Sequence, residues 1–106
     1  MLDINTVCLT GIIHDIGFSP TKGPYPVFEA RLTVCVGHTD NEGDLFDEFF
    51  VRAFGRKTAS MTYIQEGSSV TIQGKLKEDI RVNADNPNTT RSKIYVNIDN
   101  IKVNKE

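Results

Sequence analysis

The strongest constraint on the fold is a two-residue alternation of apolar and polar side chains, repeated in short runs that Gly, Pro, Asn and Asp separate. Alternation of this kind places every second side chain on one face of a β-strand. It predicts five strands, over residues 5–14, 27–37, 45–55, 68–77 and 92–103. Segments 16–26 and 83–90 are rich in turn-forming residues and are predicted to be loops, and the acidic segment 40–44 is predicted to be a hairpin connection.

The segment between the third and fourth strands, residues 56–65, fits a short helix, with Gly67 as its C-terminal cap. Gly11, inside the first strand, predicts a bulge or a sharp bend. In the last two strands the alternation points Leu76 and Ile94 toward the core. Five strands with one helix between the third and fourth is the order of the OB-fold, a five-stranded, partly open Greek-key barrel. We expect one all-β domain over residues 1–106, with an unrelated small barrel or sandwich as the alternative.

Composition excludes several classes of protein. Apolar runs are only a few residues long, far below the ~20 that span a membrane, and the N-terminus has no secretory signal pattern. Two cysteines, Cys8 and Cys35, make neither a disulfide framework nor a zinc site, and they fit reduced thiols in a cytoplasmic protein. No nucleophile–base pair, metal-ligand spacing or phosphate-binding glycine motif is present. We therefore expect no metal, no cofactor, no membrane association and no enzymatic activity.

The third predicted strand carries the most informative face. Its alternation assigns Phe49, Val51 and Ala53 to the core, so that Phe50, Arg52 and Phe54 point outward together. Two aromatic rings flanking a guanidinium suit unpaired bases, which stack on flat side chains. The alternative is that both rings are buried, under the helix or in a subunit interface, with Arg52 pairing a carboxylate.

Charge is distributed unevenly along the chain. The net charge of −2 argues mildly against nucleic acid, but residues 38–48 hold five acids and no Lys or Arg, whereas residues 49–77 hold five basic residues and one acid. A basic surface can therefore exist on this acidic protein. Lys75 and Lys77, outward on the fourth strand, are candidates for phosphate contacts. The full candidate DNA-binding set is Arg31, Phe50, Arg52, Phe54, Arg56, Lys75, Lys77 and Arg81.

Several stretches in order resemble the bacterial and phage single-stranded DNA-binding protein (SSB) family. Residues 5–11 are similar to its opening strand, which begins Asn-x-Val and ends at a glycine, and 49–57 to its aromatic-Gly-Lys signature. Residues 63–76 resemble Tyr-Leu-x-Lys-Gly-x-x-Val-x-Val-x-Gly-x-Leu most closely. The resemblance implies an OB-fold that forms a homo-oligomer, a tetramer or dimer, and binds single-stranded DNA (ssDNA) without marked sequence preference. It also implies base stacking on Phe54, DNA contact at position 50, and a DNA path along Lys75 and Lys77.

The chain also departs from that family. It contains no tryptophan, Glu48 stands where an aromatic is usual, and no acidic C-terminal tail follows the last strand, so recruitment of replication proteins through such a tail is not expected. We expect ssDNA binding in replication, recombination or repair. One alternative is an OB-fold protein-interaction module similar to a primosomal replication protein, and another is a small enzyme or RNA-binding barrel.

Overall fold

Five strands close into one barrel in the order β1-β2-β3-β5-β4, with β4 pairing back onto β1. The structure is a computed structural model and describes residues 2–82, 85–86 and 88–104. Strands β3 and β5 run parallel, and the other neighbours are antiparallel. A 3-10 helix lies between the third and fourth strands, as the sequence predicts. The elements are β1 (Val7–Ser19), β2 (Val27–Thr39), β3 (Gly43–Ala53), the helix (Arg56–Tyr63), β4 (Ser69–Val82) and β5 (Thr90–Val103).

The core is formed by the inward side chains of all five strands together with two residues at the end of the helical segment. Apolar β-branched side chains pack well on a pleated surface, which is why these runs form strands. Met61 and Ile64 add to the core from the helical segment, and the buried Thr58 hydroxyl donates to the Gly55 carbonyl at 2.9 Å. The predicted inward set of β3 is confirmed for Val51 and Ala53, which are fully buried. The other core members are Ile13, Phe28, Ala30, Leu32, Val70, Ile72, Val96 and Ile98.

Strand β1 is longer than predicted, because a bulge carries it beyond residue 14. The register with β2 shifts between His14 and Gly17, and Asp15 there has a φ of 55°. The Glu66 carboxylate accepts hydrogen bonds from the backbone N–H groups of Asp15 and Ile16, at 2.9 and 2.6 Å. It therefore satisfies donors that the bulge removes from the ladder. The predicted loop over 16–26 is wrong for its first residues, which continue the strand to Ser19.

Gly11 marks a close approach of two strands; of the two predicted alternatives, a bulge or a sharp bend, the bulge does not occur at this residue. It pairs in register with Val70, just before β1 changes partner from β4 to β2. A Cβ atom at Gly11 would lie 2.3 Å from the carbonyl oxygen of Thr33, so only glycine allows the barrel to close there. The predicted capping role of Gly67 is also wrong. The helix is capped by Ile64, and Gly67, with a φ of 84°, donates its N–H to the Ile13 carbonyl.

Strands β4 and β5 continue beyond the barrel as a two-stranded ribbon. Leu76 and Ile94 are 46% and 67% exposed, so their predicted place in the core is wrong. The reason is that the pairing of β1 with β4 stops at Val7 and Gly74, and among the described residues no other strand covers this side of the ribbon. The Asn5 side chain instead forms two hydrogen bonds with the Leu76 backbone, of 2.8 and 2.9 Å. Of the predicted loop 83–90, residues 83, 84 and 87 lie outside the described residues, and Thr90 belongs to β5. Within the described chain, no helix is long and apolar enough to cross a membrane.

Candidate nucleic-acid interface

The strand register brings the outward side chains of β3, β5 and β4 onto one surface. Arg52 pairs with Asn97 across the parallel β3–β5 ladder. Asn97 in turn pairs with Lys75 across the β4–β5 ladder. Residues that pair directly share a face of the sheet, as do residues two apart along a strand. We call this surface the β3–β5 face; it comprises Phe50, Arg52, Phe54, Lys75, Lys77, Asp79, Lys93, Tyr95 and Asn97.

Both predicted phenyl rings are partly open to solvent. Phe50 is 41% and Phe54 is 42% exposed, so neither is buried in the barrel or beneath the helix of this chain. The half-buried ring of Tyr95 lies beside Phe54, with 6.5 Å between the ring centroids. Exposed aromatic area of this kind is uncommon on a monomer surface and is characteristic of a binding site. The three rings form a platform on which flat groups can stack.

Arg52 is not the open guanidinium that the alternation suggests. Its Nη1 lies 3.1 Å from Oδ2 of Asp79 and its Nε lies 3.6 Å from Oε1 of Glu29. The guanidinium carbon lies 4.8 Å from the centroid of the Tyr95 ring, a cation–π distance. Only 23% of the side chain is exposed. The carboxylate pairing expected under the alternative interpretation is therefore found for Arg52, although the burial of the two phenyl rings is not.

Phe50 is flanked by two cations. The Arg31 guanidinium carbon lies 4.9 Å, and the Lys93 Nζ 4.6 Å, from the ring centroid. Arg31 also lies 3.6 Å from the carboxylates of Asp15 and Glu48, so its charge is largely balanced. In contrast, Lys93 has no carboxylate within 4 Å among the residues that the structure describes. Lys93 is therefore available to an external anion.

The remaining predicted residues differ in position. Lys75 and Lys77 are exposed on the β3–β5 face, and the described part of the chain places no carboxylate within 4 Å of either. Arg56 is exposed at the start of the helix, two residues after Phe54. Arg81 has its backbone in β4, paired with residue 91, while its side chain lies outside what the structure describes.

Sequence reasoning missed Tyr95 and Lys93. The alternation over 92–103 puts Lys93, Tyr95 and Asn97 on one face, and that signal was present. Alternation does not show which residue lies opposite on the neighbouring strand. Here that strand is distant in sequence, because β5 pairs in parallel with β3. Asn97 also carries a buried side-chain oxygen, Oδ1, that has no hydrogen-bond partner in the described structure. It is an acceptor at the centre of the face.

Acidic groups limit the platform at the β2–β3 hairpin. Phe46 is 58% exposed on the same side of β3 as Phe50, but Asp44 and Glu48 flank it on that side. The Glu48 carboxylate also lies 3.0 Å from Nε2 of His14. Phe46 therefore lies among carboxylates, whereas Phe50 lies beside the cations of Arg31 and Lys93. No group of three or more His, Cys, Asp or Glu side chains that could hold a metal occurs among the described residues.

Comparison with solved structures shows the same architecture in two SSB proteins. The chain matches the Plasmodium falciparum SSB, solved in complex with ssDNA, with a TM-score of 0.82 and 12% identity over 99% of this chain and 98% of that one. It matches a small single-stranded DNA-binding protein from Streptomyces coelicolor with a TM-score of 0.70 and 22% identity, over 98% and 96% of the two chains. No family model and no curated protein matches the sequence. The structural likeness, with the five-stranded closed barrel, establishes that this chain has the OB-fold.

Proposed function

We propose that this chain binds ssDNA without marked sequence preference, as a member of the SSB family. The observation that carries the proposal is one surface on which the half-open rings of Phe50 and Phe54 lie beside lysines that have no carboxylate within 4 Å among the described residues. Aromatic stacking tolerates every base, because every base has a π-face, and lysines bind the phosphates that all sequences share. The structural likeness to two proteins named for binding ssDNA supports the same function.

In this proposal the residues of the β3–β5 face have different roles in binding ssDNA. Bases stack on Phe50, Phe54 and Tyr95, each stack contributing about 1–3 kcal/mol. Lys75, Lys77 and Lys93 bind phosphates, with Arg56 and Arg81 extending the basic path. Because Arg31 and Arg52 already pair with carboxylates, their main part is to hold the rings of Phe50 and Tyr95 in place.

The wider context follows from the same assignment. We infer a role without catalysis in DNA replication, recombination or repair, carried out in the cytoplasm by a homo-oligomer, a dimer or tetramer. Self-association is supported by the ribbon, where Ile80 and Val82 are 61% and 62% exposed beyond the barrel. Apolar side chains in such a row are typical of protein contacts rather than of DNA contacts.

That row of side chains also favours a second candidate function. An OB-fold module that acts mainly through protein contacts would use the apolar side of the ribbon, where Glu78 is the charged group between Leu76 and Ile80. It would not need the lysines of the β3–β5 face. Absence of oligonucleotide binding by the wild-type protein at low salt would favour this second function.

A pair of phenylalanine substitutions tests the proposed site. Phe54→Ala removes a ring from the platform and is expected to weaken binding of oligothymidine five- to thirtyfold, since a partly buried ring offers about 1–2 kcal/mol of stacking. Phe46→Ala is the matched control, because it removes a more exposed ring from β3 among acidic groups, and it is expected to change the Kd less than twofold. Fluorescence anisotropy gives both Kd values. Equal effects of the two substitutions would contradict the proposed site, whatever the wild-type affinity.

A further inference from the structure

Four charged side chains form a closed cluster beside Phe50. The strand register brings them there, because His14 pairs with Arg31 across β1 and β2, and Arg31 pairs with Phe50 across β2 and β3. The imidazole lies between two carboxylates, with Nε2 at 3.0 Å from Oε1 of Glu48 and Nδ1 at 3.6 Å from Oδ2 of Asp15. The Arg31 guanidinium lies 3.6 Å from each of the same two carboxylates. We call His14, Asp15, Arg31 and Glu48 the His14 cluster.

The groups that face the imidazole come from three strands. They are the carboxylate of Asp15 on β1, the guanidinium of Arg31 and the hydroxyl of Thr33 on β2, and the carboxylate of Glu48 on β3; the Thr33 hydroxyl lies 2.7 Å from Nε2. Carboxylates and guanidinium groups ordinarily keep their charge between pH 6 and 8, whereas histidine ordinarily changes its charge within about that range. Two carboxylates and one guanidinium give the cluster a charge of −1 when His14 is neutral, and a proton on His14 brings that charge to zero.

A proton on His14 also changes the pairing of Arg31. When the imidazole is neutral, Arg31 is the cation of the cluster and both carboxylates pair with it. The imidazolium donates from both ring nitrogens, so it pairs with the same two carboxylates and competes with the guanidinium for them. Arg31 is 44% exposed and its guanidinium carbon lies 4.9 Å from the Phe50 centroid. A guanidinium released there is available to a phosphate on the DNA that lies over Phe50.

We propose that protonation of His14 strengthens ssDNA binding at Phe50, so that the affinity rises as the pH falls from 8 to 6. This inference rests on the proposed function and adds regulation by pH to it. His14 lies two strands from Phe50, or about 10 Å, and one unit charge at that distance in water changes the affinity for a phosphate about twofold. Partial release of Arg31 raises the total to about three- to fivefold and makes the dependence of Kd on salt steeper at pH 6 than at pH 8.

The chain has two histidines, and the second one supplies the control. His14→Gln keeps a polar side chain facing Glu48 but cannot gain a proton, so its Kd for oligothymidine should change less than 1.5-fold between pH 8 and 6 at 50 mM salt. His38→Gln removes the other imidazole, which lies 3.0 Å from Asp44 at the β2–β3 hairpin. It should keep the three- to fivefold response of the wild-type protein. Fluorescence anisotropy at the two pH values gives each Kd.

A second pair of variants tests the acidic side of the His14 cluster. Glu48→Gln removes the carboxylate that His14 and Arg31 share, and it should bind oligothymidine at pH 8 about as tightly as the wild-type protein binds it at pH 6. Asp47→Asn makes the same change of net charge at the next residue, whose side chain points to the other side of β3. This matched control should change the Kd less than twofold.

The outcomes separate this inference from the proposed function. A wild-type Kd that does not change between pH 8 and 6, or a His14→Gln protein that responds like the wild type, would overturn the role of His14 while leaving ssDNA binding intact. Failure of the wild-type protein to bind oligothymidine at either pH would overturn both. Circular dichroism melts at both pH values establish that each variant is folded. If His14→Gln unfolds, Glu48→Gln and Asp47→Asn decide the question, and equal effects of these two would overturn the proposal.

Discussion

Replacing Asp79 with asparagine is expected to tighten ssDNA binding while making the fold less stable. The Asp79 carboxylate lies 3.1 Å from the Arg52 guanidinium, and both side chains are less than a quarter exposed. Asp79 pairs with Lys93 across the β4–β5 ladder, and directly paired residues share a face of the sheet. Asp79 therefore places a negative charge on the proposed DNA surface. Asparagine keeps the shape of the side chain and removes its charge. The variant therefore separates electrostatic repulsion of DNA from packing.

The expected magnitudes follow from simple electrostatics. A phosphate held by Lys93 about 7 Å from the Asp79 carboxylate is repelled by about 0.6 kcal/mol in water, so loss of the charge tightens binding about threefold. Arg52 keeps Glu29 at 3.6 Å in this variant, so less than one cation is freed and the dependence of log Kd on log salt steepens by less than about 0.7. Loss of a partly buried charged hydrogen bond, with Glu29 still near Arg52, costs about 1–2 kcal/mol of folding stability. In a domain of this size the Tm falls by roughly 5–10 °C.

Anisotropy titrations at two salt concentrations and a thermal melt measure both effects. Asp44→Asn is the matched control, because it makes the same change of net charge at the β2–β3 hairpin, where Asp44 pairs with His38 at 3.0 Å. Asp44 precedes Arg52 by eight residues of strand, or about 26 Å, which exceeds the ~10 Å Debye length at 0.1 M salt. Weaker binding by Asp79→Asn with the control unchanged would refute the reasoning, since it would mean that the carboxylate helps DNA to bind.

Three further substitutions test the fold and the basic surface. Gly74→Ala is expected to destabilise the barrel by about 2–3 kcal/mol, because the new Cβ would lie 2.0 Å from the Asn97 carbonyl oxygen. Gly17→Ala is the control: its Cβ meets nothing within 4 Å, so it should leave the stability measured by urea unfolding unchanged. Asn5→Ala should lower the free energy of unfolding by about 1 kcal/mol and speed amide exchange at Leu76, because the Leu76 N–H loses its acceptor. Unchanged exchange would contradict the hydrogen bonds between Asn5 and Leu76. Lys77→Ala should weaken binding of all sequences alike and reduce the salt slope by about 0.7; a sequence-selective loss would argue against a phosphate contact.

The barrel could be predicted from sequence because its determinants are local. Alternation assigned Val51 and Ala53 to the core and Phe50 and Phe54 to the surface, and the helix between the third and fourth strands favoured the OB-fold. Strand ends were less predictable because they depend on distant groups. The extension of β1 to Ser19 relies on Glu66, which supplies acceptors from 50 residues away.

The predictions that were wrong concern residues at which a strand leaves the barrel or contacts a partner distant in sequence. Leu76 and Ile94 follow the inward pattern of their strands, but the ribbon continues past the last covering strand and leaves them exposed. Periodicity likewise cannot show that Arg52 meets Asp79, 27 residues later, and lies over Tyr95. Both are consequences of register between strands, which a single sequence does not specify.

The most direct test of the account is the affinity of the wild-type protein for an unpaired oligothymidine and for a duplex of the same length, at 50 mM and 200 mM salt. Three lysine–phosphate contacts give a slope of about −2, so the oligothymidine complex should weaken roughly 15–20-fold over that range. The duplex should bind far less well, because its bases are stacked on each other and cannot reach Phe50 or Phe54. Equal affinity for the two DNAs, or an affinity for oligothymidine that salt does not change, would contradict an ssDNA surface made of open rings and exposed lysines.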